Sequence, residues 1–262
     1  MHLLLALTLM HDRSLSLLTT PLNSKEAFHW YHGVRMFSAK LAGDVNVLER
    51  DALWAAAMCL SFVSFFYVEG DTAREAWPLK QPSNMDLGWL KMIDGKKEVW
   101  RVAGPPTKDH VFEKSYPVNI QSHLPPSMDD EIGNLPPEFF ILYNLQQQSN
   151  TSNNPYYHAV TLLARLFTVD DMFTVLVGFL TFIGSISPEF KRLLQQKDPR
   201  ALLLLAYWYA KVSQFGIWWL SRRAILEGEA ICIFLERLDQ NCNEFRYLLQ
   251  YPSSILCNSN SR

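Results

Sequence analysis

Cysteine is scarce in this chain: four in 262 residues, at Cys59, Cys232, Cys242 and Cys257. No two stand two to four residues apart, so the sequence holds no close-spaced zinc-ligand pair. So few scattered thiols in so long a chain do not suggest a disulfide framework, and a reducing intracellular compartment is expected. Cys59 and Cys232 sit inside apolar runs and read as small buried hydrophobes. Glycine is also sparse, 11 residues in all, with no Gly-x-Gly-x-x-Gly, no Gly-Lys-Ser/Thr phosphate loop and no Gly-x-Ser-x-Gly elbow. Positive charge is not in surplus: 24 Lys and Arg against 26 Asp and Glu, net -2. That balance excludes a generally basic nucleic-acid binder, because phosphate neutralisation dominates such affinity. The longest apolar run, Met172 to Ile186, falls short of the roughly 20 residues a membrane-spanning helix needs. Met1 to Met10 lacks a basic n-region and leads into His11-Asp12-Arg13, which fits an amphipathic helix better than a cleaved leader. Alternating strand patterns and internal repeats are missing too.

Helical punctuation is abundant. Ser24 is expected to cap a helix through Ala27, Trp30, Tyr31, Val34, Phe37 and Leu41, which recur at spacings of three and four. Gly43-Asp44 breaks it, and Asp44 or Asn46 opens a second helix from Glu49 to about Tyr67, apolar on nearly every side from Ala52 to Phe62 and therefore central. Nine of the 14 prolines fall between Pro78 and Pro137, which predicts a long connector with only short helical turns, such as Leu87 to Asp94 closed by Gly95. Trp77, Trp89, Trp100 and Phe112 are expected to pin it to the core. Gln146 to Asn154, all polar, reads as a mobile loop. Asn154-Pro155, Ser187-Pro188 and Asp198-Pro199 share the grammar of a capping residue followed by proline. They introduce a run of helices at about 155–167, 169–184, 188–196, 199–214, 217–238 and 242–250. The expected fold is all-α, an irregular multi-helix bundle with a long proline-rich connector. One helical domain over 1–252 and a flexible tail over 253–262 complete the reading.

Helix 199–214 is apolar all round and must be enclosed by others. Along 217–238 an apolar stripe runs through Ile217, Leu220, Ala224, Gly228, Ile231, Leu235 and Leu238. Arg222, Arg223, Glu227, Glu229 and Glu236 read as facing elsewhere, with Arg223 and Glu227 forming a modest surface pair four residues apart.

No catalytic, metal or cofactor constellation assembles from the sequence. Glu26, His29 and His32 share a helical face, yet a carboxylate-bridged di-iron site needs a second Glu-x-x-His and none occurs. They read as amphipathic surface and ring packing beside Trp30. Asp170-Asp171 is explained by a helix dipole, Asp129-Asp130-Glu131 by solvation, and His158 as a boundary residue. What stands out is the share of aromatic residues, 13% with 8 Trp and 16 Phe. Phe179, Phe182, Tyr207, Trp208, Trp218 and Trp219 are the candidate ligand-binding set. Together with Phe173 and Tyr209 they either line an apolar pocket for a flat or lipidic ligand or form plain core.

These motifs, taken in order, resemble the C-terminal regulatory domain of fungal binuclear zinc-cluster transcription factors, of the sterol uptake control type. The matching segments are Met1 to Arg13, His32 to Phe37, Arg50 to Ala57, Glu75 to Lys80, Asp86 to Met92 and Gly95 to Trp100. The strongest piece is Pro199 to Tyr209, followed by Trp218-Trp219-Leu220 and ending in Tyr251-Pro252. The resemblance implies an all-helical module that holds a hydrophobic small molecule and controls an attached DNA-binding element, for sterol or secondary-metabolite genes, in the nucleus or cytoplasm. Its partners would be that effector and a second copy or another transcription factor. The six clustered cysteines of the zinc module are missing, so no direct DNA binding by this chain is expected, and no enzymatic activity. The alternative is a diverged small-molecule binder or a cyclase- or isomerase-type enzyme acting on a hydrophobic metabolite, with shape rather than ionic groups directing the reaction.

Overall fold

Residues 1–15, 23–68, 70–84, 86–104, 135–167, 169–238 and 242–257 are described by the computed structural model. Among them stand eleven α-helices and two short 3-10 turns, with no strand. The fold is all-α. No single helix among the described residues is long and apolar enough to cross a membrane. The residues divide into two compact units, one within Met1–Tyr67 and Gly88–Tyr116, the other within Val68–Leu87 and Pro117–Arg262.

In the first unit, α1 (His2–Ser14) packs on α2 (Ser24–Leu41) and α3 (Arg50–Phe66), and α3 packs on α4 (Gly88–Ala103). Leu3, Ala6 and Met10 are the buried stripe of α1, the spacing of one helical face. The cap of α2 is Asn23 rather than Ser24: its Oδ1 accepts from the Lys25 amide at 2.9 Å, and Ser24 is the first helical residue. Asn46 does open the next element, accepting from the Leu48 amide at 3.2 Å before a 3-10 turn at Val47–Glu49 that runs into α3. Leu53 and Ala57 then meet Val99 and Ala103 in a shared core.

α4 corrects the connector reading. It continues through Gly95, where open space surrounds the backbone, and ends only at Gly104, whose φ of +74° a glycine adopts without strain. Leu90, Val99 and Ala103 are buried along it, so burial of one face outweighs the roughly 1 kcal/mol propensity cost of an interior glycine. Trp77 and Trp89 are buried as expected. The side chain of Trp100, and Phe112 and Asp129-Asp130-Glu131 entirely, lie outside the described residues.

The second unit is built around α9 (Pro199–Ser213). Every residue from Ala201 to Val212 is buried, as a helix apolar all round requires. Around it pack α6 (Tyr157–Leu166), α7 (Met172–Ser185), α8 (Pro188–Gln195), α10 (Trp218–Arg237) and α11 (Asn243–Leu256), while α5 (Pro137–Leu142) packs on α11. Of the expected caps, Ser187 and Asp198 are in place, whereas Asn154 caps no helix: it accepts from the Tyr156 amide at 3.0 Å, and α6 starts only at Tyr157. Asp171 accepts from the Thr174 amide at 2.9 Å, Ser187 from Phe190 at 3.1 Å and Asp198 from Ala201 at 2.9 Å. The segment before α4 is tied to α10 by Ala73 and Ala76 against Ala230 and by an Arg222–Asp71 ion pair at 2.6 Å.

One further segment gains detail here and one expectation is revised. Gln146 to Asn154 forms a hydrogen-bonded series of turns. Asn150 and Asn153 side chains accept from the Ser152 and Asn150 amides, both at 2.8 Å, and buried Asn154 donates to the Tyr143 carbonyl at 2.8 Å. Polar side chains here close turns on neighbouring backbone groups. The final helix runs to Leu256, beyond the expected stop at 250 and four residues into the segment read as tail, with Pro252 inside it. Proline leaves the carbonyl four residues earlier, Leu248, without its helical donor. The Tyr207 hydroxyl of α9 donates to that carbonyl at 2.8 Å, so the helix passes its proline with no orphaned acceptor.

Candidate effector site

The six aromatic residues singled out from the sequence fall into different places. Phe182 of α7 stacks on Trp208 of α9 with ring centroids 4.8 Å apart and planes 6° from parallel. Phe179 lies 6.1 Å from the same indole, and Phe190 meets Phe182 edge-on. Phe179, Phe182 and Trp208 are fully buried, and their ring-to-ring packing makes them core of the second unit. The Trp208 Nε1 donor is buried there with no acceptor among the described residues. Tyr207 belongs to a second aromatic group. It stacks on Tyr251 at 5.1 Å and meets Phe139 edge-on at 5.1 Å. Consecutive residues on a helix point about 100° apart, which sends neighbours 207 and 208 to different groups. Trp218 and Trp219 stand half-buried in the first turn of α10.

A cleft of about 410 Å³ opens between α10 and α11. Leu235, Leu238, Phe245 and Leu249 give it an apolar floor, and Glu236, Arg237, Arg246, Gln250 and Ser253 a polar rim. None of the six aromatic candidates lines it. Leu235 and Leu238 were legible as members of the α10 stripe, and Phe245, Arg246, Leu249 and Gln250 fall within the expected helix 242–250, but nothing in their spacing told that this face would oppose the α10 stripe. The connection between the two helices, 239–241, lies outside the described residues.

Arg223 and Glu227 require the plainest correction. They are buried, with 7% and 4% of their surfaces exposed, and form an ion pair inside the second unit. The Tyr209 hydroxyl of α9 donates to the second carboxylate oxygen of Glu227 at 2.8 Å. Burial pushes the Glu227 carboxyl above its ordinary value, with Arg223 and the Tyr209 hydrogen bond opposing it. Burial, then the Glu227 charge, pushes the Tyr209 phenol well up. The signal was present: Leu220, Arg223, Glu227 and Ile231 are themselves spaced by three and four, so the two charges sit on the buried stripe.

The remaining candidates resolve into local contacts. His29 pairs with His2 through their Nδ1 atoms at 2.8 Å, His2 stacks on His32 at 5.5 Å, and Phe28 packs on His32 at 4.3 Å. Burial and the neighbouring imidazoles lower the His2 pKa. Glu26 instead receives a two-pronged hydrogen bond from Arg13, at 2.8 and 3.0 Å. Among the described residues no group of three His, Cys, Asp or Glu has a metal-holding arrangement. Asp170 pairs with Lys211 at 3.1 Å. His158 Nε2 lies 2.6 Å from Ser185 Oγ, and that hydroxyl donates to the Thr181 carbonyl at 2.5 Å. The serine proton is thus committed to backbone and the histidine is the donor, a tether between α6 and α7 rather than a base activating a nucleophile.

Compared with protein-family models, curated proteins and solved structures, the chain matches none.

Proposed function

We propose that this chain is a regulatory module of the kind that its sequence resembles, the effector-binding part of a fungal zinc-cluster regulator of the sterol uptake control type. It binds a hydrophobic small molecule and acts on transcription, of sterol or secondary-metabolite genes, through a second copy or a partner factor that reads DNA. The α10–α11 cleft carries the proposal. Its floor of leucines and phenylalanine accepts an apolar body, and its rim of two arginines, a glutamine and a serine offers donors to a hydroxyl or carboxylate at one end.

Titrating the purified chain with a fluorescent polyene sterol and, separately, a long-chain fatty acid tests this. Saturable binding of one of them is expected, lost in Leu249→Arg, which places a charge in the floor, while the far-UV circular dichroism is retained. Absence of saturable binding, or binding indifferent to Leu249→Arg, would refute the cleft as the effector site. Turnover of the probe would move the assignment to the cyclase or isomerase class. A gel shift is expected to show no sequence-selective DNA binding by the chain alone.

A further inference from the structure

Beside that cleft lies a feature the effector reading does not use: two thiols facing each other across α10 and α11. Three contacts define the register. Gly228 lies so close to α11 that an added Cβ would stand 2.8 Å from Leu256 Cδ1. Two turns along α10, the Ser253 hydroxyl donates to Glu236 Oε1 at 3.3 Å. Advancing along α10 therefore retreats along α11, so the helices run antiparallel there. Cys232 stands midway between Gly228 and Glu236, and its thiol shares hydrogen bonds with Ser253 and Cys257, one turn apart on α11. Both cysteines are free thiols.

Their environments differ in a way that assigns roles. Cys232 is fully buried, whereas Cys257 is partly exposed and follows the last helical residue. The hydrogen bond from Cys232 lowers the Cys257 thiol below its ordinary value, against burial and the nearby Glu236 and Glu229 carboxylates. That same bond, with burial, raises Cys232. A partly exposed thiol beside a buried second thiol is the arrangement of a peroxide-sensitive pair.

We infer that Cys257 is a site of oxidation by peroxide and that Cys232 is its resolving partner, the two closing a reversible disulfide that clamps the end of α11 onto α10. The Cys257 thiolate attacks one oxygen of hydrogen peroxide. The S–O bond forms, the O–O bond breaks, and the departing hydroxide takes a proton to become water. Cys232 sulfur then attacks the sulfenic sulfur of Cys257. The S–S bond forms, the S–O bond breaks, and hydroxide leaves as water with the Cys232 proton. Two thiols and one peroxide give one disulfide and two waters, and a small-molecule dithiol reverses the process. The inference rests on the thiols alone and stands whether or not the cleft holds an effector.

The full chain, reduced and desalted, is treated with stepwise hydrogen peroxide, and its intact mass and non-reducing peptide map are recorded. A loss of two hydrogens, with the Cys232 and Cys257 peptides linked and the change reversed by dithiothreitol, is expected. In Cys232→Ala, oxidation stops at a Cys257 sulfenic acid that dimedone traps. In Cys257→Ala, neither a disulfide nor a dimedone adduct at Cys232 forms. The wild-type map decides alone if a variant fails to fold. A first disulfide between another pair, or reaction of Cys59 or Cys242 ahead of Cys257, overturns the inference.

Discussion

Replacing Arg223 with Met tests the buried triad most directly. The substitution keeps a flexible stem of similar reach and removes the guanidinium, leaving the Glu227 carboxylate enclosed with the Tyr209 hydroxyl as a remaining donor. Removing one member of a buried ion pair costs about 3–5 kcal/mol, since an uncompensated charge stays in a low-dielectric interior. Tyr209→Phe removes one hydrogen bond to a charged acceptor and is expected to cost about 1.5–3 kcal/mol. Replacing both charges, Arg223→Met with Glu227→Leu, removes the desolvation penalty along with the attraction and is expected to be near neutral or stabilising by about 1–4 kcal/mol. Urea unfolding followed by circular dichroism measures all three.

The pH dependence gives an independent check. Glu227 is raised above its ordinary 4.5 in the folded state, so the folded chain takes up a proton there more readily than the unfolded chain. Its contribution is fully present below about pH 4.5 and is lost as pH rises through the higher folded value. Arg223 opposes that rise, so its removal raises the carboxyl further. The cost of Arg223→Met is therefore expected to shrink toward pH 5 and grow toward pH 7. A cost under about 1 kcal/mol at neutral pH, or one independent of pH, would refute the view that the pair is desolvated.

Two further perturbations probe how α11 is held. Tyr207→Phe strips the Leu248 carbonyl of its donor opposite Pro252 and is expected to cost about 1–3 kcal/mol, with faster amide exchange in the last turns of α11; unchanged exchange there would show that the proline is accommodated otherwise. Gly228→Ala gains helix propensity of about 1 kcal/mol but brings a methyl within 2.8 Å of Leu256 and 3.3 Å of Tyr209 Cβ. A net loss of stability is expected, partly relieved by Leu256→Val. A stabilised Gly228→Ala would mean that α11 shifts at little cost.

Of the caps read from neighbours in sequence, Ser187 and Asp198 match the structure, whereas Ser24 and Asn154 do not. Asp171, Ser187 and Asp198 cap the helices they precede because a side-chain oxygen meets an amide three residues on, whatever lies elsewhere in the chain. Enclosure of α9 was legible because an all-round apolar helix has no face to give to water. Gly95 was misread as a stop, and the last helix was ended at 250, short of Pro252, for the complementary reason. Local propensity counts about 1 kcal/mol against a glycine and more against a proline, but packing against α3 and a hydroxyl from α9 offset those costs from a distance.

By itself, then, the chain's amino-acid order determined the helical class, most helix starts and the apolar stripes. Those follow from backbone donors, capping side chains and the 3.6-residue period, all settled within a turn or two. Spacing already placed Arg223 and Glu227 on the buried stripe of α10; only the tertiary structure decided that Tyr209 meets them, that Phe182 stacks on Trp208, and that the cleft falls between α10 and α11. The partner of a buried charge, the filling of a ring-lined space and the meeting of two thiols each depend on which face of a second helix arrives opposite, and spacing along one helix carries no record of that.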